Sequence, residues 1–365
     1  MRRALLLTIL VGLLTPAATV AAPRVPFGFF GMTVDGPLFR EDLDQAGEFR
    51  RMAKAGVESA IAEINWNFLQ PHENAPPDFT RIDRVVGNAA RRGIRVMGHV
   101  LYSPRWAAVD PNNGASPPRP GPYATFVREL VLRYGPDGAY WRAHPRLPKL
   151  PIRDWQIWNE PAGTGFWSIQ PFEKRYVELL RYARFAIKVT DPGARVVLAG
   201  LTFKSWEDLR RIYRAGGGGL FDAVSLHPYT QRPQDILYIV KLNREVMARN
   251  DDAELPVLIT EMGWPSAKGR STDNYGYEQT EAGQAAKIRE AMPILANGRK
   301  RWGIERVYWY SWLSVDRGPF TFGYSGLRTL RGDGPRDKPA LAAYRRTVLA
   351  LEGCMRKGAT AARCG

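Results

Sequence analysis

Downstream of residue 22 the chain switches eight times between a short apolar run and an amphipathic stretch of helical period. The runs lie at residues 28–34, 59–64, 95–100, 154–158, 195–201, 223–226, 257–260 and 306–311. Residues 41–55 follow the first run with Leu43, Phe49, Met52 and Ala53 near helical spacing. Ile82, Val85 and Val86 mark residues 80–91 in the same way, and Phe126, Leu130 and Leu132 mark residues 123–134. Further helical stretches lie at residues 172–189, 206–213, 233–248, 281–295 and 340–349. Strands that alternate with helices are joined by crossovers, so they run parallel and need both sheet faces covered. Eight such units in about 340 residues predict a single (β/α)8 TIM barrel over residues 23–352, with its active site at the C-terminal ends of the strands. A doubly wound open sheet is the competing fold, but it normally carries a glycine-rich turn after its first strand, and none follows residues 28–34. The run Gly216–Gly219 is no phosphate loop, because Leu220-Phe221-Asp222 follows where Lys and Ser or Thr would be needed.

The two ends of the chain read differently from its middle. Arg2 and Arg3 precede an apolar run at residues 4–14, and small residues lead to Ala21-Ala22-Pro23. This is the pattern of a secretory signal peptide, residues 1–22, with cleavage expected after Ala22. The apolar run is about half of the roughly 20 residues that span a bilayer. A secreted, extracellular or periplasmic protein is expected. The cysteines, Cys354 and Cys364, both lie in a short tail at residues 353–365. In an oxidising compartment they are expected to form a disulfide; the alternative is a pair of thiols on a frayed end. The net charge of +16 falls to about +14 without the two arginines of the leader. A basic exported protein is held near anionic polymers, so an anionic cell-wall or exopolysaccharide is one class of partner. A soluble arginine-rich surface accounts for the charge equally well. Nucleic acid is not expected, because the basic residues are scattered and form no block.

Two strand ends carry the chemistry. Trp155-Gln156-Ile157-Trp158-Asn159-Glu160-Pro161 is an apolar strand that stops at a carboxyl, and Pro161 ends the ladder because it has no N–H. A carboxyl beside large aromatics at the barrel mouth loses water, which favours its protonated form. Val257-Leu258-Ile259-Thr260-Glu261-Met262-Gly263-Trp264 repeats the device on the seventh strand. Strands four and seven of eight place the two carboxyls across the mouth from each other. Opposed carboxyls of this kind are the essential parts of glycoside hydrolysis. No His-Glu-x-x-His and no Gly-x-Ser-x-Gly occurs, which argues against a zinc protease and a serine esterase. No metal or organic cofactor is required. His99, at the end of the third strand, either lines the cleft or is a buried, hydrogen-bonded core residue. Residues 116–122, 265–278 and 315–336 are the long segments available to build a site.

With these motifs the chain resembles the clan A glycoside hydrolases, and within them it is most similar to the family 39 β-xylosidase-like proteins and related exported bacterial endoglycosidases. The resemblance extends to Ser103-Pro104-Arg105-Trp106, Ser225-Leu226-His227-Pro228-Tyr229, Tyr308-Trp309-Tyr310-Ser311-Trp312 and Lys338-Pro339-Ala340. It implies Glu160 as acid/base, Glu261 as nucleophile, Asn159 on the sugar 2-hydroxyl, and His227 and Tyr229 supporting the nucleophile and the sugar ring. It further implies Trp309 or Trp312 as the floor of the reacting subsite and retention of anomeric configuration, and Trp106 and His99 are further candidate substrate-binding residues. One departure stands out. Many relatives have an Arg on strand two that hydrogen-bonds the nucleophile, and Ile61 occupies the aligned position here. Glu63 and Trp66 either reshape that side of the pocket or are a surface Glu and a core Trp. A non-catalytic glycan-binding barrel and a transglycosylase are the competing functions on the same fold. The pairing of the tail is directly testable: thiol titration of the unfolded, unreduced protein should find no reactive thiol, and two would contradict the bridge.

Overall fold

A computed structural model describes residues 25–332, 334–353 and 358–361. Residues 1–22 and both cysteines lie outside the described residues. Nine parallel strands form one curled sheet: β1 (Phe30–Val34), β2 (Ser59–Asn65), β3 (Arg95–Leu101), β4 (Asp154–Ile157), β5 (Arg195–Val197), β6 (Leu201–Thr202), β7 (Val224–His227), β8 (Val257–Met262) and β9 (Ile304–Trp309). They are hydrogen-bonded in the order β5-β4-β3-β2-β1-β9-β8-β7-β6. The two ends of that series, β5 and β6, are consecutive in the chain with only Leu198, Ala199 and Gly200 between them. Isolated bridges join Gly200 back to Asn159 and Val197 forward to Ala223. The 195–202 segment is therefore tied to the β4 side and to the β7 side at once.

Ten helices are described: α1 (Gln45–Lys54), α2 (Trp66–Leu69), α3 (Thr80–Arg91), α4 (Pro120–Tyr134), α5 (Ala139–Ala143), α6 (Glu173–Thr190), α7 (Ser205–Arg214), α8 (Pro233–Ala248), α9 (Glu281–Trp302) and α10 (Pro339–Glu352). Every apolar run expected to be a strand overlaps one, because a strand covered on both faces is largely apolar and stands out in sequence. Boundaries moved where local signals misled. The helical pattern was expected to stop at residue 295, yet α9 continues past Pro293 to Trp302 and ends on Gly303, whose φ of 58° suits a left-handed cap.

Side chains that point inward from the strands form layers. At the N-terminal ends, Asp154 accepts hydrogen bonds from Arg195 Nε (2.6 Å) and Arg306 Nη1 (2.6 Å), and Arg195 also pairs with Glu305. Burial opposes the charge on Asp154, but Arg306 and Arg195 outweigh it and hold the carboxyl below its usual range. Above this plug lies a closed apolar cluster of Ile61, Met97, Val197, Ala223, Leu258 and Tyr308. The C-terminal strand ends lie beyond it.

A small second sheet was not expected from sequence. β10 (Leu313–Ser314) pairs parallel with β11 (Arg328–Arg331), which pairs antiparallel with β12 (Gly334–Asp337). Its strands are too short for periodicity to reveal. Arg328 reaches from it to α1, where its guanidinium pairs with Glu48, and its Nε donates to Asp337 Oδ1 at 2.5 Å. Glu48 also accepts the indole N–H of Trp312 at 2.7 Å. Arg328→Met keeps the apolar stem but strips a buried carboxylate of its countercharge. It should cost about 3–5 kcal/mol, seen as a lower denaturant midpoint at unchanged slope; a loss below about 1 kcal/mol would contradict the buried pairing.

Candidate active site

The strand ends turn into the site through backbone that most residues avoid. Tyr102 after β3, Trp158 and Glu160 after β4, and Phe203 after β6 all have positive φ, at 61°, 71°, 38° and 50°. Each costs free energy for a residue with a Cβ and persists only where the surroundings enforce it. Trp158 shows how. Its N–H donates to Val100 O (3.0 Å), its indole N–H donates to Phe166 O (2.9 Å), and its carbonyl accepts from His99 Nε2 (3.1 Å). His99 is neutral in this role, because burial and the neighbouring His227 push it down to about 3. It is at once buried and part of the cavity lining, so both expectations for it hold together. With Trp158 pinned, Glu160 N donates to Gly200 O at 3.1 Å and its side chain turns into the cavity.

Glu160 and Glu261 meet at His227. Nδ1 of this fully buried ring lies 2.7 Å from Glu160 Oε1 and 3.6 Å from Glu261 Oε2, and Nε2 lies 3.0 Å from Thr260 Oγ1. Tyr229 donates its hydroxyl to Glu261 Oε2 at 2.9 Å. One donor atom from each of Glu160, His227 and Glu261 lies within 4.8 Å of the other two. The same trio could present three ligands to a cation. A proton held between Nδ1 and Oε1, however, occupies two of those donors, so acid–base use suits the arrangement better. Room for the ring comes from Gly200, where an added Cβ would lie 2.0 Å from His227 Nε2. Burial works against the imidazolium, but the charges of Glu261 and Glu160 and the Glu160 hydrogen bond prevail, so His227 is raised.

Two further acids approach this centre. Burial lifts Glu261 to about 7, opposed by His227 and reinforced by Glu160. Glu63, on β2, is pushed up to about 8 by burial and by the charges of Asp35 and Glu261. Asp35, after β1, is raised to about 6 by burial, although Tyr310 and Ser311 hydrogen-bond it. Ile61, two residues before Glu63, belongs to the apolar layer below. On strand two the side chain that reaches the cavity is therefore an acid.

The cavity measures about 560 Å³. Asn159, Tyr229 and His99 line it as expected, together with Glu63, Glu160 and Glu261. Three expected aromatics are placed elsewhere. Trp309 is fully buried with its indole N–H on Ser325 O (3.2 Å), and Trp312 is fully buried against Glu48. Trp106 donates to Gln70 O (2.9 Å) and packs edge-on against Trp66, itself a core residue. Each indole found an internal acceptor, and that took the ring out of the cleft. The aromatic lining consists instead of Tyr102, Phe166, Phe203, Tyr229, Tyr275, Tyr277, Tyr310, Phe320 and Phe322, and Tyr275, Phe320 and Phe203 are exposed at its mouth. Four of these lie in the 265–278 and 315–336 segments, which sequence marked as site-building without indicating which side chains turn inward. Those segments are fastened together by Lys338, whose Nζ donates to Ser266 Oγ (2.9 Å) and Tyr324 O (2.8 Å) and lies 3.5 Å from Asp316.

No family model matches the chain. A curated β-xylosidase of Caldicellulosiruptor saccharolyticus is 30% identical over 133 residues, which is 36% of this chain and 24% of that protein. The chain thus spans about a quarter of the length of that relative. Among solved structures, a monomeric β-xylosidase from Caulobacter crescentus CB15 superposes with a TM-score of 0.64 at 19% identity, covering 89% of this chain and 68% of that one. A family 39 glycoside hydrolase from the gut symbiont Bacteroides cellulosilyticus WH2 gives 0.62 at 20% identity, with 91% and 65% covered. An α-L-arabinofuranosidase from Thermotoga maritima gives 0.60 at 14%, with 90% and 70% covered. The fold is that of the TIM-barrel glycoside hydrolases. Among these, the chain resembles the family 39 proteins of clan A, to which both the sequence match and the structural neighbours point.

The raised acids give a signed pH dependence. Glu63, Asp35 and Glu261 have folded-state pKa values above their unfolded ones, so the native state holds the extra protons. Stability from these groups is full below their unfolded values and is lost as pH rises through about 6, 7 and 8 in turn. Glu63→Gln keeps the shape and cannot ionise. Its melting temperature should match the parent near pH 4 and exceed it above pH 8; thermal melts at the two pH values check this, and an equal offset at both would refute it.

Proposed function

We propose that the chain is a secreted, retaining glycoside hydrolase built on one (β/α)8 barrel. In this reading β5 and β6 are two parts of one interrupted stave, which makes eight staves of the nine strands. The observation that carries the proposal is the pair of carboxyls on the ends of β4 and β8, with oxygens no more than 4.8 Å apart over one cavity. Retaining enzymes hold their carboxyls about 5–5.5 Å apart, and inverting enzymes hold them about 6.5–9.5 Å apart to admit a water. The short distance favours direct attack. The cavity is of the size that encloses a small ligand. Aromatic rings at its mouth are suited to the apolar faces of sugars.

Glu160 delivers a proton to the leaving oxygen while Glu261 attacks the anomeric carbon and forms a glycosyl-enzyme. Glu160, then ionised, takes a proton from water as that water attacks the anomeric carbon and displaces the Glu261 carboxylate, which frees the sugar. His227 connects the two steps, since its Nδ1 touches Glu160 and lies close to Glu261. It responds to the charge on either carboxyl. Tyr229 orients Glu261 and stabilises its ionised form by donating a hydrogen bond. The buried Oδ1 of Asn159 has no partner among the described residues, so it is free to accept a hydrogen bond from a sugar hydroxyl.

The two glutamates should fail in different ways. Glu160→Ala should slow poor leaving groups most, about 10²–10⁴-fold, while an activated aryl glycoside still forms the glycosyl-enzyme and azide rescues its turnover. Glu261→Ala should abolish turnover of both substrate types, and a fluorinated mechanism-based glycoside should label Glu261 in the parent. Equal, modest losses in both variants, without labelling or azide rescue, would leave a glycan-binding barrel as the better reading.

A further inference from the structure

The cavity lining contains no Lys and no Arg among the described residues, although the chain carries a net charge of +16. It contains three carboxyls, and two of them, Glu160 and Glu261, are engaged by His227 and Tyr229. Glu63 is the third. It pairs in register with His99 on β3, two residue pairs above the apolar layer, and its side chain faces the cavity. Burial and two nearby acids act on it, yet neither of its oxygens has a hydrogen-bond partner among the described residues. Asp35 differs, because Tyr310 and Ser311 satisfy it. A desolvated, unpartnered carboxyl is costly unless something completes it. Glu63 is part-buried and opens onto the cavity, so a ligand seated there is placed to supply that partner.

We propose that Glu63 selects the sugar held beside Glu261: its carboxyl exchanges a hydrogen bond with a hydroxyl or ammonium substituent of the ring, and the cation-free acidic wall to which it belongs bars sugars that carry a carboxylate. The inference rests on the reading of the cavity as a sugar site. A hydroxyl can accept from the protonated carboxyl or donate to the ionised one. An ammonium draws the carboxyl into its ionised form. A uronic acid brings a further negative charge to a lining that offers no Lys or Arg to pair with it. The basic exterior still attracts an anionic polymer, so surface charge and cavity charge select for different parts of a substrate.

Binding, rather than turnover, tests this. Methyl β-xyloside, β-glucoside, β-glucosaminide and β-glucuronide would be titrated by calorimetry or ligand-observed NMR into the parent, Glu63→Ala and Glu63→Gln at pH 7. The parent should bind the glucuronide at least about tenfold more weakly than the best of the others. Glu63→Ala should weaken that best ligand about 2- to 10-fold where it is a neutral sugar and about 10- to 100-fold where it is the glucosaminide, the values of a hydrogen bond between neutral groups and of one to a charged group, and should narrow the gap to the glucuronide. Excess affinity for the glucosaminide that is lost in Glu63→Gln assigns the ammonium, and near-equal binding of the neutral sugars retained in Glu63→Gln assigns the hydroxyl. A glucuronide bound as well as the rest, uniform weakening of all four in Glu63→Ala, or no binding of any of the four overturns the proposal. Labelling of Glu261 without this selectivity sinks the present inference alone. Selectivity without labelling sinks the hydrolytic reading and leaves Glu63 in place.

Discussion

Two carboxyls held within 4.8 Å of each other repel unless a group between them absorbs the charge, and the buried imidazole of His227 is that group. Much else in the site follows from this constraint. The ring must be enclosed, so the chain between β5 and β6 passes it at Gly200, where no Cβ could be accommodated. Its far nitrogen must be satisfied, and Thr260, next to the carboxyl it serves, provides the oxygen. Charge can then shift between Glu160 and Glu261 with little movement of heavy atoms.

The scaffold bears the cost in its backbone. Four residues at the C-terminal strand ends adopt left-handed dihedrals, and His99, Val100 and Phe166 hold the most central of them, Trp158, by three hydrogen bonds. Strain at a site persists where the surrounding structure over-determines it. The surroundings here are a layered interior: an ion-paired plug at the N-terminal ends, an apolar layer above it, and only then the polar centre. The plug and the apolar layer give stability, which the desolvated acids at the top give back as pH rises.

Electrostatics divides the molecule into two regions of opposite character. A surface rich in arginine surrounds a cavity lined by acids and aromatics. Lys338, a buried cation placed away from the chemistry, fastens the 265–278 segment to the 315–336 segment, together with Arg270, which pairs with Asp316, and Ser266 N–H, which donates to Tyr324 O. The one further small sheet, β10–β12, serves the same end. Through Arg328 and Glu48 it anchors this second segment to α1, and it draws Trp312 into the wall on the way.

Much of this was legible in the amino-acid order. The parallel strands announce themselves because burial on both faces makes them largely apolar, and Glu160 and Glu261 announce themselves because each abruptly ends such a run. Periodicity and strand-end chemistry are local, so one sequence suffices to read them. The aromatic lining was not local. A tryptophan lines a sugar site or fills a wall according to whether its N–H finds an internal acceptor, and Ser325, Glu48 and Gln70, all distant or looped partners, decided this for Trp309, Trp312 and Trp106. Glu63 is the clearest case. Sequence left it balanced between surface and pocket, because a carboxyl on a strand carries no mark of which layer it will occupy. Only the curl of the sheet, which places Ile61 in the apolar layer and Glu63 above it beside Glu261, turned it into part of the site.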